Sequence, residues 1–503
     1  MRTWGPLTAV SLGTFMLLLD VTIVVVALPD MARALGASLG DLQWVIDGYA
    51  LALAALLLGV GAAADVLGRR RLNIIGTGIF ALASLGCGLA SDAGLLVAAR
   101  AAQGLGAAAM FATTLPLLGA AYQGRDRSVA LGVWGAVSGA AAALGPIVGG
   151  LLTEGPGWRW IFFVNLPVSV ASIWLTLRLV PESKGPAGRR IDWAGTASFA
   201  VFAGAGTYGV LRGGTHGWTS TATVAAFAAS VLALLCFVLV ERRAAQPLLD
   251  LRLLRKPAFT GVLVGAIGYN AAAYGVIPYL SIWLQTVLGM SPVRGSLVLL
   301  PLAGMSFLVA AVGGRLLHGV APRLVIGVGL LLIGTGALCM AVLDAESSWT
   351  SLVAGLTVTG VGAGLVAPAL AGAALASVPP ANAGMAGGAV NTFRQLGYAV
   401  GVALFGTVLT SRMQDSLGRE AAHTAAGGGA SALHGTVSSD AVRSAFATGL
   451  NGASLAAGVA GLVAGVLVLV LVRTPKGEPG PVPVPVAAAG TPKRAPRVEE
   501  HVR

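Results

Sequence analysis

Four ionisable side chains stand inside long apolar runs of this chain: Asp20, Asp47, Arg100 and Arg394. A charge at the centre of a bilayer costs about 2.5 to 3.5 kcal/mol on insertion scales, so each of the four needs a partner or a task. Asp20 lies about eight residues from the far end of the first run, Asp47 about five inside the second and Arg100 about five inside the fourth. At 1.5 Å per residue these are depths of roughly 12, 8 and 8 Å from one side, which lets the three share a polar site. Desolvation and a neighbouring arginine act on a carboxyl's proton affinity in opposite directions, and their balance can bring titration into the range that a proton gradient uses. A purely structural Asp20 to Arg100 pair, with Asp47 wetted at the interface, is the alternative. Arg394 stands near the middle of the thirteenth run beside Asn391 and Gln395, where it either lines a cavity or bonds a neighbouring helix.

The elements that position these residues follow from composition. The chain has 503 residues, of which 56% are hydrophobic and only 10% charged, with a mean hydropathy of +0.83. That leaves too little polar surface for a soluble protein of this size. Runs of about 20 apolar residues, each long enough to cross roughly 30 Å of hydrocarbon as a helix, recur from end to end. They fall near 7–28, 42–64, 72–90, 95–121, 128–152, 160–180, 193–212, 222–240, 258–282, 295–317, 323–343, 349–375, 385–411 and 446–472. The first run has no small-residue cleavage site after it and is expected to stay in the mature protein.

An all-α membrane protein of about fourteen transmembrane helices is therefore expected. An even number puts both termini on one side, and the basic residues choose that side. Of 32 Lys and Arg, 23 fall in connections on the terminal side, seven on the other, and Arg100 and Arg394 lie within runs. The termini are thus expected in the cytoplasm, and dropping a single run would scatter this bias. The expected organisation is a six-helix bundle at 1–180, an inserted helix pair with flanking loops at 181–257, and a second six-helix bundle at 258–472 carrying an external loop at 412–445. The Pro-rich tail at 473–503 has a disordered composition.

Several chemistries lack their residues. None of the four lysines completes a GxxxxGK[ST] phosphate loop, so ATP is not the direct driver. A GxGxxG at Gly204, Gly206 and Gly209 sits inside an apolar run and reads as helix packing. The five histidines form no HExxH or nucleophile triad, and Cys87, Cys236 and Cys339 form no CxxC pair. No enzyme activity, cofactor, metal or disulfide is expected. The net charge of +12 is spread over short connections rather than gathered in a patch, which argues against nucleic acid.

Two further segments carry a pattern. Asp65-Val-Leu-Gly68-Arg69-Arg70-Arg71 makes a tight turn in which Gly68 permits reversal. A carboxylate at a helix C-terminus is unfavourable unless paired, so Asp65 is expected to meet an arginine or the N-terminus of the helix that starts near Met385, as a gate made and broken between states. A weak repeat of this segment begins at Gly314, as duplicated halves would produce. In the fifth run Gly132, Gly135, Gly139, Gly145, Gly149 and Gly150 form small-residue seams around Pro146, which removes a backbone donor.

On these residues the chain resembles the major facilitator superfamily, in particular its fourteen-helix drug:proton antiporter branch, along nearly all of 7–472. Leu19-Asp20-Val-Thr22-Ile-Val-Val-Val-Ala27-Leu-Pro29 is similar to that branch's first-helix motif, with Val25 where an Asn is usual. Gly61 to Arg71 is similar to the superfamily's loop 2-3 motif, with Val66 in place of a basic residue, and implies gating by Asp65, Gly68, Arg69 and Arg70. Arg100-Ala-Ala-Gln103-Gly104-Leu-Gly106 resembles the fourth-helix motif whose arginine is linked to proton transfer. Gly145-Pro146-Ile-Val-Gly149-Gly150 resembles the antiporter motif of the fifth helix, with Ala141 where that motif often has Gly. Trp158-Arg159-Trp160-Ile-Phe-Phe-Val-Asn165-Leu-Pro167 resembles a signature of the fourteen-helix branch.

The resemblance extends to antibiotic self-resistance exporters of actinobacteria. It implies a multi-pass protein of the inner membrane, working as a monomer, that exports an amphipathic drug-like compound in exchange for protons. Asp20, Asp47 and Arg100 are then expected in proton coupling, and Gln103, Asn165, Asn391 and Arg394 along the cavity. A carrier of a physiological metabolite and a non-transporting membrane sensor are the alternatives left open.

Overall fold

A computed structural model describes residues 4–184, 192–316, 320–378, 383–429 and 437–472. The 473–503 tail, Arg189 and Arg190, and 317–319 of the repeat segment lie outside the described residues.

Helices dominate because a backbone in hydrocarbon must satisfy its own polar groups, and their ends are capped where they leave it. Five cross the first half: α1 (Gly5–Leu35), α2 (Leu39–Leu67), α3 (Arg69–Gly88), α4 (Ala93–Ala121) and α5 (Gly124–Glu154). Gly36 ends α1 in the left-handed conformation at φ 59°, and Ser38 with Asp41 closes a capping box at the start of α2. Asp92 caps α4 by accepting from the Leu95 amide at 2.9 Å. A short α6 (Trp160–Phe163) leads into α7 (Asn165–Leu179), completing the first bundle.

The second bundle is built from α10 (Pro257–Tyr274) with α11 (Ile277–Ile282), then α12 (Pro292–Leu316), α13 (Pro322–Cys339), α14 (Thr350–Ala376), α15 (Ala383–Leu417) and α17 (Ser439–Leu471). A π-helical turn at Trp283–Val287 extends α11. The segment expected as an external loop is partly helical, since α15 runs on to Leu417 and α16 occupies Arg419–Thr424. A further π-helical turn at Ala425–Gly429 then buries Ala425 and Ala426 against the end of α1 and the start of α2. Apolar side chains in a polar-looking stretch drive that docking.

Between the bundles in sequence come α8 (Trp193–His216) and α9 (Thr221–Arg243). α8 lies against both α2 and α15, with Gly59 facing Thr196 and Gly214 facing Thr407, so it flanks the seam between the bundles. α9 rests on α8, and only 17% of its apolar window is buried, which leaves the rest to lipid.

Among the described residues, twelve helices are long and apolar enough to cross a membrane, and α2, bent by 55° between Leu57 and Gly59, makes a thirteenth. α5 adds a 31-residue helix packed on α1 and α12. Contacts join Gly5 to Leu179, Arg70 to Glu182, Asp250 to Met385 and Gly261 to Val472. Gly59 against Thr196, and Glu241 against both Gly195 and the Leu249 amide, link these two sets through α8 and α9, so both described ends of the chain share one face, called here the terminal face.

Candidate functional site

Asp20 is fully buried in the first bundle, and five helices converge on it. Arg100 and Gln103 stand three residues apart on one face of α4, as helical spacing requires. Arg100 Nη1 lies 2.7 Å from Asp20 Oδ2 and 2.6 Å from Gln103 Oε1. Gln103 Nε2 donates to Asp20 Oδ1 at 2.9 Å, and Asn165 Nδ2 from α7 donates to the same oxygen at 2.8 Å. Ser84 of α3 accepts from Gln103 at 2.8 Å and from Asn165 at 3.3 Å. From α2, the Val45 carbonyl accepts from Arg100 Nε at 3.1 Å, and the Tyr49 ring lies 4.3 Å beneath the guanidinium. Gln103 and Asn165, expected along a cavity, are buried ligands of Asp20 instead.

Asp47 departs from the expected shared site. It is also fully buried, yet neither carboxyl oxygen has a hydrogen-bond partner. One turn earlier on α2, Gln43 donates to the Tyr279 hydroxyl of α11 at 2.7 Å, and that hydroxyl donates to the Val402 carbonyl of α15. Asp47 consequently faces the second bundle, within electrostatic reach of Tyr279 and Tyr398. Depth along the membrane brought Asp20, Asp47 and Arg100 together on paper, but azimuth around α2 separates them. The result is one saturated charge pair inside a bundle and one bare carboxyl between bundles.

Other contacts across the bundles gather at the face opposite the termini. Gln285 Nε2 donates to the Val26 carbonyl at 2.8 Å, and the Val293 amide approaches Glu154 Oε2 at 3.4 Å. The α5 glycines serve two partners. A Cβ at Gly145 would strike Thr22 of α1, and one at Gly149 would come within 2.9 Å of Ile23. One at Gly150 would come within 2.8 Å of Val293 Cα in the second bundle. Pro146 lies within α5 between these contacts, whereas the side of Gly135 is open. The α5 motif therefore sets how closely helices approach.

At the terminal face Asp65 pairs with Arg69, Oδ1 lying 2.9 Å from Nη2. Gly68 joins α2 to α3 at φ 112°, a conformation that suits glycine. The following amides are held by a residue that the sequence did not single out: Glu182 accepts from the Arg70 and Arg71 amides at 3.0 and 3.2 Å. Arg70 Nη1 also reaches the Val180 carbonyl at 3.2 Å. In the second bundle Arg394 is half-buried, with Nε 3.4 Å from Asn270 Oδ1 and its guanidinium 5.1 Å from the Tyr269 ring. Asn391 is half-buried one turn before it.

Ser84, Tyr49, Tyr279 and Tyr398 were equally silent in the sequence. A serine or tyrosine in an apolar helix is common, and only its neighbours reveal a polar site. Glu182 had one signal, an acid just beyond a span on the side that holds the arginine triplet.

Two helical bundles meeting around buried charges, with a pair of added helices at their seam, define a membrane transporter rather than an enzyme. Residues 10–402 match the family model described as Major Facilitator Superfamily, and the chain belongs to that superfamily. It is 36% identical over 412 residues to Multidrug resistance protein Stp of Mycobacterium tuberculosis (strain CDC 1551 / Oshkosh), covering 82% of this chain and 76% of that one. It is 37% identical over 462 residues to Puromycin resistance protein pur8 of Streptomyces alboniger, covering 89% of each. Among solved structures, a bacterial homolog of the human lysosomal transporter Spinster, inward-facing and unoccupied, matches with a TM-score of 0.66 at 18% identity over 94% of this chain and 98% of that one. The protein is thus a multi-pass transporter of the cell membrane, homologous to antibiotic and multidrug resistance exporters.

Proposed function

We propose that the protein is a proton-coupled antiporter that exports an antibiotic or other amphipathic drug-like compound by alternating access, and so confers resistance. Homology to exporters named for puromycin and multidrug resistance supports the cargo class. With α5 as the fourteenth span, both termini fall in the cytoplasm, and the terminal face is the inner one. The positive-inside count supports that orientation. Contacts across the bundles then lie toward the outside, and the carrier is closed there. The proton gradient drives it without a cofactor, and one chain suffices.

The observation that carries this reading is the bare carboxyl of Asp47 at the seam. A charged carboxylate with no donor is costly in a dry interface, whereas a neutral carboxyl is tolerated. Protonation at Asp47 and closure of the α2 and α15 seam therefore favour one another. We assign the moving proton to Asp47 rather than Asp20, because three donors already hold Asp20. In the cycle, Asp47 is wetted when the carrier opens outward, takes a proton after the drug leaves, and in its neutral form permits reclosure. Asp20 and Arg100 act as the fixed charge pair that holds α2 within the first bundle, and Asp65 with Arg69 latches the inner face.

Inverted vesicles with an acidic lumen test this. Adding a compound to which the gene raises resistance should release lumenal protons in the wild type and not in Asp47→Asn. Drug-dependent proton release at the wild-type rate in Asp47→Asn would refute the assignment.

A further inference from the structure

Two arginines lie at membrane depth, and they are treated differently. Arg100 has a carboxylate at 2.7 Å, whereas no carboxylate among the described residues pairs with Arg394. Arg394 is the twelfth residue of α15, which puts it roughly 16 Å along the helix and inside its apolar run. A guanidinium within an apolar run costs free energy, and such a group faces the bundle interior or a water-filled cavity and often marks a substrate path.

Its surroundings say which ligand. Among the described residues the one hydrogen bond of Arg394 is the long contact from Nε to Asn270 Oδ1 at 3.4 Å, which leaves both Nη groups able to donate. Beneath it the Tyr269 ring stands edge-on to Tyr274, with centroids 5.7 Å apart at 89° and hydroxyls 3.3 Å apart. Asn391 precedes Arg394 by three residues and shares its face of α15. A fork of N–H donors matches an anionic oxygen group, and the half-buried Tyr274 ring, held edge-on to the buried Tyr269, offers a flat aromatic molecule a surface beside it. We infer that Arg394 is the cargo-recognising residue of this carrier, and that the cargo is an aromatic compound bearing a carboxylate, sulfonate or ionised phenol.

This rests on the transporter reading above and narrows its cargo from any amphipathic compound to an acidic one. Arg394 seats the anion, while Asn270 and Asn391 receive its neighbouring polar groups. The same helix carries Tyr398 one turn further on, within electrostatic reach of Asp47 and Arg100. Cargo at Arg394 and a proton at Asp47 thus act on one rigid element.

The test is equilibrium binding to the full chain in nanodiscs of uncharged lipid with no gradient, so it does not depend on proton coupling. The probes are 2-anthracenecarboxylate, its methyl ester and 2-(aminomethyl)anthracene, read by fluorescence polarisation. The wild type should bind the carboxylate at least about tenfold more tightly than the ester or the amine. Arg394→Gln should abolish that preference by weakening carboxylate binding to the level of the ester, and Arg394→Lys should restore part of it. Equal binding of carboxylate and ester by the wild type overturns the inference without any variant. Equal weakening of all three probes in folded Arg394→Gln also overturns it, since that marks a packing role. Should proton release fail in vesicles while the carboxylate preference holds, the coupling is wrong and the cargo assignment stands.

Discussion

Replacing Asp20 by Asn removes one charge from a buried pair and alters almost nothing else in shape. The new side chain can still accept from Gln103 and Asn165 through its oxygen, but its amide N–H group would face Arg100 Nη1, donor against donor, where a carboxylate oxygen now lies at 2.7 Å. Arg100 is 2% exposed, so water cannot replace the lost charge. Breaking a buried pair from one side costs about 3 to 5 kcal/mol. Arg100 keeps its bonds to Gln103 and the Val45 carbonyl and its place over Tyr49, which puts the expected loss near the lower end, about 3 kcal/mol. Arg100→Gln should cost a similar ~3 kcal/mol by stranding the carboxylate. The double variant holds no buried charge and should lose only about 2 kcal/mol, leaving a coupling energy of about 4 kcal/mol. Equilibrium unfolding in mixed micelles with increasing dodecyl sulfate, followed by tryptophan fluorescence, measures all three. Additivity within about 0.5 kcal/mol would show that Asp20 and Arg100 do not act as a pair, and would refute the fixed-charge role given to them.

Gly150→Val should wedge α5 from α12, because the new Cβ meets Val293 Cα and the Pro292 carbonyl within 2.9 Å. The carrier should then rest open on the outer face, read as faster labelling of single cysteines placed beside Val26 by a membrane-impermeant reagent. Glu182→Gln should loosen the start of α3, which loses a charged acceptor for two backbone amides, and faster hydrogen exchange at 70–72 with unchanged exchange in α4 checks it. Burial, with Arg419 and His216 nearby, holds the His423 imidazole below its ordinary pKa. Its neutral form therefore stabilises the docked segment above the usual histidine range, and that contribution is lost as pH falls through the depressed value. Protection factors at 419–429, corrected for the intrinsic pH dependence of amide exchange, should fall at pH 5 relative to pH 7.5, and His423→Asn should remove that change.

The sequence by itself determined the spans, because burying a helix in hydrocarbon needs only length and composition, and both are local. It also flagged Asp20, Asp47, Arg100 and Arg394, because a charge inside an apolar run is conspicuous whatever surrounds it. Depth was legible too, being 1.5 Å for each residue counted. The glycines of α5 were visible as a seam, but not that Gly145 and Gly149 meet α1 while Gly150 meets the other bundle. What only the tertiary structure decided was partnership. Rotation about a helix axis sets which neighbour a side chain meets, and in a helix apolar all round no amphipathic stripe records that angle. Thus Asp20 closes on Arg100, Gln103 and Asn165, while Asp47 at similar depth turns to the other bundle and finds no donor. On our proposal saturation makes the first a fixed pair and its place in the seam makes the second a switch, a distinction that resides in the packing of whole bundles.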